Sequence, residues 1–279
     1  MKGKTLVFKA KDHLVSKKEF SIYWDEERGL AQTDVSSNLP LESYYNSKEY
    51  DSHKIYHKTL IDRVYRVFQH IMLFRKWKLI RLYYSSGIIL DIGAGTGTFA
   101  KFMKKKGFQI EVVEPYNEAV KHTINNITHY KSISNVPKER KYSLITLWHV
   151  LEHLPNLNYV FKSLNTLLDT SGKLIIAVPN WESNDARHYA SDWAALDVPR
   201  HLWHFTPHGL KKLAKIHGFE CISQKPLWLD AFYISYLSER AKGTNLSVLI
   251  GFIKGVYFTL KSVYNKKFSS LIFVFKKSF

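Results

Sequence analysis

Residues 1–50 carry short apolar runs broken by charged positions and read as strands and loops. From His53 to Tyr84 the period changes. Ile55, Leu60, Ile61, Val64, Phe68, Ile71, Met72 and Leu79 fall at helical spacing with arginines and lysines between them, and Ser85, Ser86 and Gly87 end the helix. Strand and helix then alternate. Ile88 to Asp91 is an apolar strand, Thr98 to Lys106 a helix stopped by Gly107, and Phe108 to Glu114 a second strand. A helix is expected from near Asn117, then a weaker strand around Ile127 to Ile133 and a clear one, SLITLW, from Ser143 to Trp148. Asn158 to Leu168 is amphipathic and gives way to a turn, Asp169 to Gly172, before the strand Lys173 to Val178. Thr206 and Pro207 have the chemistry of an N-cap and first helical residue for a helix running to Gly218, and Phe219 to Ser223 is the next strand. Residues 227–268 interrupt this rhythm with aromatic, helical sequence. Ser270 to Lys276 (SLIFVFK) is a final strand suited to an antiparallel sheet edge.

Apolar strands separated by crossover helices predict an α/β protein with a doubly wound parallel sheet. The chain has 279 residues, room for one large α/β domain with appendages. Its net charge of +17 is spread over lysine-rich helices and the tail, which suits acidic partners (phosphates, anionic lipid or nucleic acid) and equally suits plain solubility. No base-reading or aromatic-stacking motif promotes nucleic acid above the other anions, so nucleic acid is not expected as the partner. The lone cysteine, Cys221, excludes internal disulfides and a cysteine-rich zinc site. No run is long and apolar enough to span a bilayer, and the N-terminus lacks a signal peptide's apolar core. A cytoplasmic location is expected.

The stretch LDIGAGTGTFAKFM, residues 90–103, joins the first strand of the alternation to its helix. A dinucleotide fingerprint would read G-x-G-x-x-G/A, but Gly93, Gly95 and Gly97 make G-x-G-x-G, and Thr98 stands where the third small residue belongs. That spacing disfavours NAD. Asp91 directly before the loop can face an ammonium group, and Glu114 closing the second strand can accept both ribose hydroxyl hydrogens. A charged amino-acid end and a ribose point to S-adenosylmethionine.

DIGAGTG, VVEP at residues 112–115 and LITLWHVLEHLPN at residues 144–156 resemble the first, second and fourth-strand motifs of class I S-adenosylmethionine-dependent methyltransferases. The chain resembles in particular the ubiquinone-biosynthesis O-methyltransferase type, over roughly residues 85–226. The resemblance implies a Rossmann-like, mostly parallel seven-stranded sheet with an antiparallel last strand, an N-terminal arm and helix, and an inserted helical cap. The domains are then an arm at 1–52, a basic helix at 53–86, the cofactor-binding core at 87–226, the cap at 227–268 and a final edge strand at 269–279. It implies cofactor contacts from Asp91, Gly93, Ala94, Gly95, Gly97, Glu114 and Pro115. Leu147, Trp148 and His149 would line the methionine and adenine side. The family's polar residue after the third strand has no clear counterpart, and Ser132, Ile133 and Asn135 are the candidates.

Methyl transfer to a hydroxyl or amine requires a nucleophile aligned with the methyl and a group that removes its proton. Two histidine-rich stretches follow the fourth and fifth strands. In WHVLEHLP, His149, Glu152 and His153 share a face if the turn is helical. Relatives hold a divalent metal with Glu-x-x-Glu-His here, but His149 replaces the first glutamate and Glu-His-Leu often caps this turn without metal, so none is assigned. In DWAALDVPRHLWHFTP, residues 192–207, His201 or His204 is a candidate general base and Arg200 a candidate holder of an anionic acceptor, with His149 as a further candidate. The same residues suit hydrogen bonds that fix a lid loop. Tyr45, Tyr50 and His53 lie on an arm that closes over the cofactor in relatives.

Similar enzymes carry a Cys-x-x-Cys ribbon before the Tyr-Tyr segment, and Asp25 and Arg28 stand where its second cysteine pair would be. A carboxylate and a guanidinium cannot make that thiolate site, so a ribbon remnant without zinc is expected. Stoichiometric zinc in purified protein, read by elemental analysis, would contradict this. The segment from Ser247 to Phe268 is apolar with interspersed lysines, too short and charged to span a membrane. It suits a cap over the acceptor pocket, a dimer contact or an interfacial helix.

The expected activity is S-adenosylmethionine-dependent methylation of a small or lipid-linked acceptor, anionic in one form of the expectation, with oxygen as the methylated atom. The rival readings are an RNA- or protein-directed methyltransferase and a non-catalytic cofactor-binding scaffold. The Asn/Asp-Pro-Pro-Tyr/Phe motif of many nucleic-acid amino-methylating enzymes is absent after the fourth strand.

Overall fold

The computed structural model describes residues 3–36, 39–45, 60–115 and 126–278. Strands β1 (Lys4–Lys11), β2 (Glu19–Asp25) and β3 (Leu30–Thr33) open the chain, followed by helices α1 (Leu41–Tyr45) and α2 (Leu60–Tyr83). The alternating region then supplies β4 (Ile88–Ile92), α3 (Thr98–Lys105), β5 (Gln109–Val113), β6 (Thr128–Tyr130), β7 (Tyr142–Trp148), α4 (Leu157–Leu167) and β8 (Leu168–Pro179). After α5 (Asn184–Tyr189) come β9 (Trp203–Phe205), α6 (Pro207–Ile216) and β10 (Phe219–Pro226). Helices α7 (Asp230–Ala241) and α8 (Ser247–Asn265) precede the last strand, β11 (Ser270–Lys277).

The large sheet has seven strands in the order β10-β11-β8-β7-β4-β5-β6. β8, β7, β4, β5 and β6 run parallel, while β11 pairs antiparallel with both β8 and β10. This is the Rossmann-like order, with the antiparallel strand inserted beside β8. Central parallel strands must be apolar on both faces, and period-two alternation sorts their side chains between two cores. Leu174, Ile176 and Val178 of β8 enter one core with Phe273 and Phe275 of β11; Ile175 and Ala177 enter the other with Ile272 and Val274.

Thr206 caps α6 as its sequence implies, its hydroxyl accepting from the Gly209 N–H at 2.9 Å. Two strand boundaries need correction. The Asp169 to Gly172 turn lies inside β8, which begins at Leu168 and takes up the extra residues as a register shift against β7 between Tyr142 and Leu144. β10 runs past the expected end at Ser223 to Pro226, and the helical interruption expected at 227–268 follows it as α7 and α8. The helix expected near Asn117, and the start of the one expected from His53, lie outside the described residues.

The N-terminal strands do not stand alone. β1, β2 and β3 form an antiparallel meander that β9 completes from the far side of the chain, giving a second sheet in the order β1-β2-β3-β9. Asp25 and Arg28 close the β2–β3 turn: the Arg28 N–H donates to Asp25 Oδ1 at 2.9 Å and the Gly29 N–H to the Asp25 carbonyl at 2.8 Å. The meander also packs on α6, where a Cβ added at Gly209 would sit 2.1 Å from the Gly29 carbonyl oxygen. Backbone cannot give way as a flexible side chain can. Gly209→Ala is therefore expected to cost roughly 1–3 kcal/mol in denaturant unfolding, and an unchanged midpoint would show that the meander docks loosely.

Candidate functional site

The loop after β4 is shaped by three left-handed glycines, Gly93 (φ 72°), Gly95 (φ 54°) and Gly97 (φ 71°), a conformation that side chains rarely adopt. Its amides are satisfied from β5: Gly93 and Ala94 donate to the Val113 carbonyl at 2.8 and 3.2 Å, and Gly95 donates to Glu114 Oε2 at 2.7 Å. The loop and the predicted ribose carboxylate are thus one hydrogen-bonded unit. Gly93 has a further reason for lacking a side chain. Its Cβ would lie 2.3 Å from the Val150 side chain, so here the glycine admits the segment after β7.

Asp91 is 2% exposed, and its Oδ1 accepts from the Thr146 hydroxyl at 2.7 Å. Burial pushes its pKa up to about 7, opposed by that hydrogen bond and by Lys76. Lys76 comes from α2, its ammonium 4.4 Å from the centre of the Trp148 ring and 5.5 Å from that of Phe99. Burial pulls the lysine down to about 8, and the charges of Asp91 and Asp230 work the other way. The buried Asp91 and the half-buried Lys76 thus interact electrostatically beside the glycine loop.

His149 follows β7 with a left-handed backbone (φ 56°), its N–H donating to the Ala177 carbonyl at 2.9 Å. That conformation turns the imidazole between two carboxylates, with Nδ1 3.4 Å from Glu152 Oε1 and Nε2 3.0 Å from Asp230 Oδ2. Burial opposes its charge, but Asp230 and Glu152 outweigh burial and raise its pKa to about 10. Leu147, one residue earlier, is fully buried in the main core, whereas Trp148 packs on the opposite face beside Phe99. Ile133 opens a short 3-10 turn, Ile133–Asn135, packed on the core, and Pro115 is exposed just beyond Glu114.

The structure brings a different histidine group together from the one the sequence suggests. Glu152, His153 and His201 present ligand atoms that all lie within 4.8 Å of one another, and the two rings meet at 4.5 Å. His153 Nδ1 lies 3.1 Å from the Arg200 carbonyl and 3.0 Å from the Tyr45 hydroxyl, and His201 Nδ1 lies 2.8 Å from the Ala195 carbonyl. Burial and the neighbouring His201 lower the His153 pKa to about 4, so its ring is neutral near pH 7. Tyr45 thereby ties α1 to the site; Tyr50 and His53 lie outside the described residues.

Arg200 and His204 are built into the scaffold. The Arg200 guanidinium is 1% exposed and grips Asp197, with Nη2 at 2.6 Å and Nε at 3.0 Å, while Nη2 lies 3.5 Å from Asp12. Asp12 in turn accepts the N–H groups of Leu14, Val15 and Ser16, so the arginine fastens the segment after α5 to the β1–β2 turn instead of facing an acceptor. His204 sits opposite Ala31 in β9. The Thr33 hydroxyl donates to the His201 carbonyl at 2.7 Å, which leaves His204 Nε2 to donate to Thr33 Oγ1 at 2.9 Å. Burial drives its pKa down to about 3, and a ring so placed cross-links strands and is no ready proton acceptor. Lys76 and Asp230 are the site residues that sequence reasoning missed. The first hides among the basic positions of α2 and the second begins the aromatic insertion.

A cavity of about 300 Å³ opens where the residues after β8 meet the N-terminal sheet, walled by Phe8, Trp24, Trp181 and Trp193 with Glu182 and Arg187 beside them.

Residues 67–224 match the family profile of a methyltransferase domain. An uncharacterized methyltransferase of Alkaliphilus oremlandii is 28% identical over 106 residues, a match that spans 36% of this chain and about half, 49%, of that protein. Among solved structures, a putative sarcosine dimethylglycine methyltransferase from Galdieria sulphuraria superposes with a TM-score of 0.52 at 17% identity, covering 78% of this chain and 88% of that one. The Burkholderia thailandensis 1,6-didemethyltoxoflavin-N1-methyltransferase, solved with S-adenosylhomocysteine, gives 0.51 at 14% identity over 97% of this chain and 100% of that one. At such identities the structures show the fold, and the profile match over more than half the chain shows the family. The chain spans about half the length of the curated relative it matches; it belongs to the methyltransferase-domain family and has the Rossmann-like fold of these structures.

Proposed function

We propose that the protein is an S-adenosylmethionine-dependent methyltransferase that methylates an oxygen atom of a small or lipid-linked acceptor, with His149 receiving the acceptor's proton. What supports the reading is the setting of His149: it stands one residue beyond β7, its Nδ1 faces the buried Glu152, and its Nε2 faces Asp230 at the start of α7. A buried carboxylate on one ring nitrogen orients an imidazole and favours proton uptake at the other.

Glu114 and the glycine loop fit the cofactor's ribose, and the Asp91 carboxylate fits its ammonium end. When bound, S-adenosylmethionine supplies an electrophilic methyl on a sulfonium that departs as a neutral thioether. Around it, the chain's own residues hold and move charge. Asp91 must be ionised to meet an ammonium, and its raised pKa makes cofactor binding release protons near neutral pH. An entering hydroxyl replaces Asp230 at His149 Nε2, which removes one of the two carboxylates that keep the ring protonated. Reaction proceeds from the fraction of molecules in which Nε2 has lost its own proton to solvent; that neutral Nε2 takes the hydroxyl proton as the methyl is transferred, with Nδ1–H facing Glu152.

The test is incubation of purified protein with S-adenosylmethionine and panels of phenolic, carboxylic, amine and lipid-linked phenolic acceptors, and separately with total RNA, with products identified by mass spectrometry. Methyl ethers or esters are expected. A methylated amine as the sole product would overturn the oxygen assignment, and methylated RNA would overturn the acceptor class.

A further inference from the structure

Helix α8 is oriented against the rule for a surface helix, which buries its large apolar side chains and shows polar ones to water. Its buried stripe is mostly small: Gly251, Gly255, Phe258 and Ser262. The two glycines let α8 press onto α7, where an added Cβ would lie 2.5 Å from Tyr236 Cα or 2.8 Å from Phe232 Cα. Lys254 locks the pair by donating to the buried Glu239 at 2.7 Å. The rotation of the helix about its axis is therefore fixed by backbone contact. The opposite face carries Leu249, Phe252, Ile253, Tyr257, Leu260 and Tyr264, each between 54% and 92% exposed. These positions follow helical spacing and form one apolar ridge along the 19-residue helix, about 28 Å long at 1.5 Å per residue.

A contiguous apolar face of that length marks an interaction surface. The charges around it select the occupant. Residues 242–279 contain no aspartate or glutamate, whereas Lys242, Lys261, Lys266 and Lys267 flank the ridge. A second copy of the chain would bring a second set of lysines and another +17 against the first. No helix among the described residues is long and apolar enough to cross a membrane. We propose that α8 lies in the plane of an anionic bilayer surface, its ridge of Leu249, Phe252, Tyr257 and Leu260 inserted among the acyl chains and its lysines at the headgroups. This holds for any acceptor and places the enzyme where a lipid-linked one would be found.

Full-length protein is mixed with phosphatidylcholine vesicles, with and without phosphatidylglycerol, and separated by flotation. Binding is expected to the phosphatidylglycerol vesicles and to weaken as salt rises. Phe252→Glu with Leu260→Glu should reduce it at least tenfold, while S-adenosylhomocysteine binding stays intact and certifies the fold. Lys261→Glu with Lys266→Glu, which leaves the apolar ridge unchanged, should reduce it about tenfold or more and decides the matter should the first pair fail to fold. No flotation at low salt, or flotation indifferent to both pairs, overturns the proposal. A dimer in sedimentation velocity that Phe252→Glu dissociates, without vesicle binding, also overturns it and gives the face to a second copy.

Discussion

His149→Ala is expected to lower kcat by about 10²–10⁴-fold while S-adenosylhomocysteine binds with nearly unchanged affinity, because general base catalysis contributes factors of that size. The pH dependence separates this role from a structural one. In the free enzyme His149 is held protonated by Asp230 and Glu152, with a pKa raised to about 10, so the reactive neutral ring is scarce at pH 7. The profile of kcat/KM reports free-enzyme ionisations and should climb with pH toward that value. Asp230→Asn removes the nearer carboxylate, 3.0 Å from Nε2, and is expected to shift the limb toward neutral pH. A His149→Ala enzyme of normal kcat, or an Asp230→Asn enzyme with the parent profile, would remove His149 as the base. His204→Ala gives a useful contrast. With a buried ring bonded to Thr33, its loss should lower thermal stability and leave the pH profile in place.

Glu114→Ala should weaken cofactor binding by about 10²–10³-fold, the consequence of losing two hydrogen bonds from ribose hydroxyls to a charged acceptor at about 1.5–3 kcal/mol each before partial replacement by water. The same change strands the Gly95 N–H that now donates to Glu114 Oε2 at 2.7 Å. Glu114→Gln keeps an acceptor for that amide and should fall between the two. Isothermal calorimetry with S-adenosylhomocysteine measures the series, and equal affinities for all three proteins would contradict the ribose assignment.

The parts of the fold that could be read from the chain are those where one physical requirement dominates. β4, β5, β7 and most of β8 are buried on both faces and so appear as short unbroken apolar runs between turn residues. Thr206 with Pro207 marks a helix start because a cap and a fixed φ are needed there and nowhere else. The glycine loop was equally plain, since three left-handed residues leave little alternative to glycine. β9 was not, because its three residues, Trp203–Phe205, carry no period of their own and pair with a strand some 170 residues earlier. The roles of Arg200 and His204 were hidden for a related reason. A buried arginine and histidine serve an active site or a cross-link with the same atoms, and only the positions of Asp197, Asp12 and Thr33 decide between them. Lys76 and Asp230 reach the site from helices remote in sequence, and no local pattern distinguishes them from other surface charges.

The loop from Asp91 to Gly97 and the carboxylate of Glu114 are expected to form a single receptor for a sulfonium nucleoside. Calorimetric titration of the purified protein with S-adenosylmethionine and S-adenosylhomocysteine, alongside NAD, tests it directly. Saturable binding of both sulfur compounds at one site per chain, abolished or strongly weakened in Glu114→Ala and absent for NAD, is the predicted result. No heat with either sulfur compound, or tighter binding of the dinucleotide, would contradict it.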